Sequence, residues 1–465
     1  MKRLSIVTLL LMACLTLFAQ VKYVFYFIGD GMGDNQVLAA EMYRSAIQGE
    51  PLGRVQTSMT QMPIFGHLST HSASNGITDS SAAGTCLATG SKTTNGKLGI
   101  DAKGDTLRTI AEKLKAEGWG IGIMTTVAID HATPAAFYGH NEKRSHYYEI
   151  GKQLCYSGFD FFGGAGFHYP QGKKDDKDIN LYRLAEEQGY SIAHGYEEAQ
   201  RMKDNCEKLI LVQKTDDDGT KHGDNLPYTI DRKDGELRLD EIVQTAIPFL
   251  AKRHERFFMM VEGGMIDYAC HGDDGRTAIE EVWNMNEALQ YALDFYKAHP
   301  DETLIVVTAD HETGGMALGN SDYTLHLDVL QNQKCSAWVL SDLVSQLFSD
   351  KKAPRWESVK EVFQQQLGFW DTVEITKEEE AQLYAKYKLA ARRKGKDTKT
   401  LYKDINQLSD AALRLINQKA HLGWTSYGHT AHPVPVFAIG KNAELFTGWH
   451  DNTEMVPLLL KAIGE

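Results

Sequence analysis

Short runs of β-branched and aromatic residues recur at Tyr23 to Ile28, Ile121 to Val127, Phe257 to Val261, Thr303 to Thr308 and Val434 to Ile439. Each is followed by Gly, Asp or His and then by helical periodicity. Strands alternating with helices predict an α/β fold, a doubly wound, mainly parallel sheet with helices on both faces. The stretch from about Asn320 to Leu422 is patterned differently, with Lys and Glu runs. A capped helix is expected to start at Thr376, where Glu379 completes a capping box ahead of Leu383 and Tyr387. The expected plan is one catalytic domain over residues 20–465 carrying a helical insertion at about 320–422, with no internal repeat and no long linker.

The N-terminus alters this picture. Lys2 and Arg3 precede an apolar run from Leu4 to Ala19 that is too short for a comfortable membrane span, so residues 1–19 are read as a cleaved export signal. Leu11-Met12-Ala13-Cys14 loosely resembles a lipidation box. The strand starting near Lys22 leaves almost no spacer behind Cys14, so a soluble periplasmic or secreted protein is the favoured expectation over an anchored one.

The 465 residues, 42% hydrophobic and 24% charged, supply enough apolar material for a large core. Loss of Lys2 and Arg3 takes the formal charge from -13 to -15. That acidity argues against nucleic acid as a dedicated partner. It does not argue against an anionic substrate, because bound cations would reverse the local field. Cys86, Cys155, Cys206, Cys270 and Cys335 remain after cleavage, an odd number with no C-x-x-C pair. Export permits a disulfide without demonstrating one.

Chemistry gathers at the carboxyl ends of the expected strands. Asp30 lies in IGDGMGD, His131 and Thr133 in DHATP, Glu262 and Asp267 in EGGMIDYACH, and Asp310 and His311 in TADHETGG. In open α/β sheets these loops form the ligand crevice, so distant groups converge there. Carboxylates and imidazoles in such a crevice point to metals. Asp267 and His271, four apart, share a face if the segment has entered a helix. A carboxylate such as Glu262, closing an apolar strand, is costly unless it coordinates a cation. In ITDSSAAGTCLATG, Ser80 stands near the start of a helical run from about Ser81 to Thr89, where amides and dipole favour an alkoxide or a phosphate. Read by itself it is equally a plain N-cap.

Five of these blocks, in order and at compatible spacing, make nearly the whole mature chain resemble the alkaline phosphatases. That resemblance implies a metal-dependent phosphomonoesterase in which Ser80, the serine directly after Asp79, is transiently phosphorylated, and in which Arg144 clamps the phosphate. It further implies one zinc held by Asp267, His271 and His429, and a second held by Asp30, Asp310 and His311. A third ion, magnesium, would be held by Asp30, Thr133 and Glu262, whose hard oxygens suit it. His131 and Tyr268 depart from the enteric bacterial pattern beside that third ion, which leaves the third site open to zinc as well. They are expected beside the metals or the substrate. His429 has a rival in His432, three residues on; spacing to the strand Val434 to Ile439 favours His429.

The resemblance also implies small phosphate monoesters as substrates. Relatives of this type are commonly dimeric, so a homodimer is compatible with it. Within the same fold a phosphodiesterase is an alternative, whereas a sulfatase would need a Cys-x-Pro-x-Arg or Ser-x-Pro-x-Arg sequence that the Ser80 region lacks. An exported phosphate- or metal-binding protein is the alternative from another class.

Overall fold

A computed structural model describes residues 20–171, 179–214, 224–320, 322–349, 352–392 and 396–465. The expected signal segment, with Cys14, lies outside the described residues. The central sheet has ten strands: β1 (Tyr23–Ile28), β2 (Ile64–Ser69), β3 (Gly120–Thr125), β4 (Phe161–Gly164), β5 (Tyr190–His194), β6 (Lys208–Val212), β7 (Phe257–Glu262), β8 (Thr303–Thr308), β13 (Val434–Gly440) and β14 (Gly448–Asp451). Between β8 and β13 lie four two-residue strands, β9 (Glu312–Thr313), β10 (Ala317–Leu318), β11 (Leu422–Gly423) and β12 (His429–Thr430). The sheet order is β14-β2-β13-β8-β1-β7-β3-β4-β6-β5. Only β13 runs against the rest, pairing antiparallel with β2 and β8.

The mainly parallel α/β architecture expected from the sequence is therefore present. Its central strands are apolar throughout because both faces are covered: β3, β7 and β8 are buried at every position, and β1 at all but Tyr23. The long helix Gly275–Ala298 packs on the helices Asp34–Ile47 and Leu239–Arg253. Between β10 and β11 the described residues form a short 3-10 helix and four α-helices, Ala337–Leu347, Trp356–Leu367, Lys377–Ala391 and Gln407–Lys419. The helix at Lys377 starts as expected, with Thr376 and Glu379 exchanging cap hydrogen bonds. The five cysteines among the described residues are free thiols.

Strand register places the site. Ile28 stands opposite both Glu262 and Thr308, and Thr125 opposite Glu262. Four adjacent strands thus end level, and the residues that follow them open into one crevice.

Candidate active site

Asp30 and Asp310 each lie two residues beyond a strand end, and Glu262 closes β7. All three are fully buried, as are Asp267, His311, Thr133 and Ser80. The turn after β1 depends on Gly31, which takes φ 73°; a Cβ there would stand 2.9 Å from the Asp267 Cα. The short helix Met265–Cys270 then sets Asp267 and His271 on one face, with His271 Nε2 3.3 Å from Asp267 Oδ2.

Backbone and hydroxyl groups dictate how the imidazoles are oriented. His271 Nδ1 donates to the Tyr427 carbonyl (2.5 Å), and His429 Nδ1 donates to the Thr78 carbonyl (2.8 Å). His311 Nδ1 lies 3.2 Å from Thr313 Oγ1, whose hydroxyl is itself hydrogen-bonded to Asp267 Oδ1. In these three histidines Nδ1 is thereby engaged, and Nε2 faces the crevice. The Nε2 atoms of His271 and His429 are 3.1 Å apart, and His429 Nε2 is 3.6 Å from Asp267 Oδ1. His311 Nε2 sits 3.4 Å from Asp30 Oδ1 and 3.2 Å from Asp310 Oδ2.

Like groups brought this close inside a protein require a counter-charge. Asp30 Oδ1, Asp310 Oδ2 and Glu262 Oε1 are buried with no hydrogen-bond partner. Burial, followed by mutual repulsion among the acids, pushes the Asp30 and Asp310 carboxyls well above the usual range. Burial takes Glu262 up to about 7, although Thr125, Thr133 and Asp30 bond to it. Burial first, then the neighbouring His429, keeps His311 neutral, which suits a ligand. His271 moves upward because Asp267 and the Tyr427 carbonyl outweigh its burial; an incoming cation would displace that proton. Ligand atoms of Asp267, His311 and His429 lie within 4.8 Å of one another, as do those of Asp30, Asp310 and His311. Orphaned carboxylate oxygens and converging Nε2 atoms fit divalent cations. Thr133 Oγ1, 3.4 Å from Asp30 Oδ2, joins Glu262 at the edge of this cluster.

Ser80 is the first residue of the helix Ser80–Thr89, and the N-cap is Asp79, whose Oδ1 accepts from the Ala82 amide (3.0 Å). The capping role left open for Ser80 by the sequence therefore belongs to its neighbour. Ser80 Oγ stands 3.3 Å from His311 Nε2. Asp79 Oδ2 also accepts from Arg144 Nη1 at 3.3 Å, and Arg144 Nη2 donates to His131 Nε2 at 3.2 Å. His131 is held neutral by burial and by Arg144, consistent with its accepting role. Tyr268 lies 5.9 Å from the His131 ring.

The structure brings together every site residue named from the sequence. His429 is the histidine of its pair that enters: its ring stacks on His311 at 3.6 Å, whereas the His432 side chain is 68% exposed. Sequence reading missed Thr313, Thr125, Asp79 as an anchor for Arg144, and Tyr402, which bonds to Asp267 from the helical segment. Only Asp79 had a local signal, a capping residue directly before a helical run.

An alkaline phosphatase family model matches residues 21–464. Alkaline phosphatase 4 of Bacillus subtilis is 31% identical over 455 residues, 96% of this chain and 89% of that protein. Among solved structures, the cold-active alkaline phosphatase of the psychrophile Shewanella sp. superimposes with TM-score 0.78 at 28% identity, covering 95% of this chain and 100% of the other. That of Thermus thermophilus gives 0.79 at 28% identity, covering 96% and 92%.

Proposed function

The chain belongs to the alkaline phosphatase family and is a phosphomonoester-hydrolysing enzyme, and on that footing we propose that it works through a phosphoserine at Ser80, within a site for two zinc ions and one magnesium. The observation that carries this reading is the Ser80 hydroxyl, freed from capping by Asp79 and set 3.3 Å from His311 Nε2 at the rim of the orphaned carboxylates.

Asp267, His271 and His429 would hold one zinc; Asp30, Asp310 and His311 the second; Asp30, Thr133 and Glu262 the magnesium. When bound, these cations supply the positive charge that makes a hydroxyl acidic enough to attack and that offsets charge on the departing oxygen. The chain does the positioning. Arg144, braced between Asp79 and His131, presents its fork to two non-bridging phosphoryl oxygens. The helix behind Ser80 favours negative charge on its Oγ. Ser80 Oγ gives up its proton and attacks phosphorus in line, the P–O bond to the alcohol breaks, and the departing alkoxide takes up one proton to leave as the alcohol, so the net proton count is unchanged. Water then attacks the phosphoserine from the vacated side, releasing inorganic phosphate and returning a proton to Ser80, with net retention at phosphorus.

The third-ion ligands Thr133 and Glu262 favour monoesters over diesters. Protein supplied with zinc and magnesium should turn over an aryl phosphate monoester much faster than the matching diester, and Ser80→Ala should abolish the monoester reaction. Equal rates on both esters would redirect the reading to a phosphodiesterase. Saturable phosphate uptake without turnover would redirect it to a binding protein. We further propose export, on the strength of Lys2, Arg3 and the apolar run behind them; a mature N-terminus at Gln20 is the expected observation.

A further inference from the structure

Tyr402 comes from the described loop between the helices Lys377–Ala391 and Gln407–Lys419, in a stretch of no apparent function. The loop is pinched at its base, where Thr398 and Ile405 exchange backbone hydrogen bonds of 2.8 and 2.9 Å and Ile405 is fully buried. Lys403 pairs with Asp342 at 2.7 Å on the neighbouring helix. From this brace the Tyr402 hydroxyl donates to Asp267 Oδ2 at 2.9 Å, across 135 residues of sequence. Its ring stacks on Tyr268, centroids 3.4 Å apart and planes 18° apart, and meets the His271 ring edge-on at 5.4 Å.

The hydroxyl has a job that packing does not explain. The terminal torsion of a carboxylate is broad, so one donor leaves it free to swing. In Asp267, Thr313 engages Oδ1 and Tyr402 engages Oδ2, and two donors on opposite oxygens fix the plane. What remains of Asp267 faces the Nε2 atoms of His271 and His429. A second tie runs through Asp410, whose Oδ2 accepts from Thr398 at the loop base (3.0 Å) and whose Oδ1 accepts from the Tyr427 hydroxyl (2.8 Å). The carbonyl of the same Tyr427 orients His271. We infer that Tyr402 is a positioning residue that locks Asp267 for divalent-metal retention, making the helical segment part of the metal-holding apparatus. The inference rests on the reading that this cluster binds zinc.

The test is zinc affinity, measured on the full-length protein by competition with a chromophoric chelator, for the parent, Tyr402→Phe and Tyr402→Ala. Tyr402→Phe keeps the stacked ring and removes only the hydroxyl. It should bind zinc at the Asp267 site at least about 10-fold more weakly, in the range seen when an outer partner of a metal ligand is lost. Its metal-free melting temperature should fall by only about 1–2 °C, as expected for one lost hydrogen bond in a chain of this size, and excess zinc should restore turnover. Zinc affinity in Tyr402→Phe equal to the parent's overturns the inference, whatever Tyr402→Ala does, because the effect would then belong to the ring. A parent protein that binds no zinc overturns the metal site itself, a failure seen before any variant is compared.

Discussion

Asp79 is where the positioning of Ser80 and of Arg144 meets, and Asp79→Asn separates its two oxygens. Among the described residues, Oδ1 accepts only from the Ala82 amide (3.0 Å), whereas Oδ2 accepts from Ser81 Oγ (2.7 Å), the Gly96 amide (3.1 Å) and Arg144 Nη1 (3.3 Å). All four partners are donors, so an amide NH2 group faces a donor whichever way it is turned. The cheaper orientation keeps the carbonyl on the three-donor side and sacrifices the helix cap, at about 1 kcal/mol. The bond from Arg144 loses its charge assistance, which removes about another 1 kcal/mol. The sum, about 2 kcal/mol, corresponds to roughly 30-fold more frequent local opening. Hydrogen exchange read by mass spectrometry on a peptide spanning residues 78–97 should accelerate by about that factor at neutral pH. Burial pushes the Asp79 carboxyl up, but Arg144 and the amide and hydroxyl donors hold it below the usual value. Its contribution is therefore complete above the ordinary carboxylate pKa of about 3.9 and is lost as pH falls through the lower folded value. The gap between parent and variant should close in acid. Parental exchange rates in Asp79→Asn at neutral pH would show that Asp79 does not brace this helix.

Gly31→Ala places a non-glycine residue at φ 73° with its Cβ 2.9 Å from the Asp267 backbone, whereas Gly49→Ala meets the same strain at φ 71° in open space. Gly49→Ala should lose about 1–2 kcal/mol of stability; Gly31→Ala should lose more, because the Asp267 backbone must also shift, and only Gly31→Ala should lose bound zinc, as measured by metal analysis after dialysis. Stripping divalent ions with a chelator leaves the orphaned oxygens of Asp30, Asp310 and Glu262 uncompensated. The melting temperature should fall with the activity and recover when zinc and magnesium return, in line with about 2.7 kcal/mol of stabilisation at a ligand concentration of 100 Kd. An unchanged melting temperature in protein shown to be metal-free would contradict the site.

Legibility in the sequence followed burial. β1 and β8 match their predicted limits because each is a continuous apolar run covered on both faces. β2 and β14, at the sheet margin, alternate or lie exposed, and IFGHLS and GWHD carry no comparable signal. The acid and imidazole cluster was legible because each of its carboxylates closes a strand or lies in the turn or short helix after one, and strand ends converge. Ser80 was ambiguous because the proposed nucleophile and the cap occupy adjacent positions; the Asp79 hydrogen bond to Ala82 assigns the cap to Asp79. Tyr402 was invisible, since its loop has no periodicity and its partner is distant in sequence, so only the packing of the helical segment reveals it.

The proposed mechanism turns on a covalent bond between Ser80 and phosphorus. Zinc- and magnesium-loaded protein, quenched in acid during turnover of an aryl phosphate and digested, should yield the peptide spanning residues 78–97 with one phosphate on Ser80. The Ser80→Ala protein with the same metal content should show neither the adduct nor turnover. Phosphate found on Ser81 or on His311 instead, or parental turnover by Ser80→Ala, would contradict it.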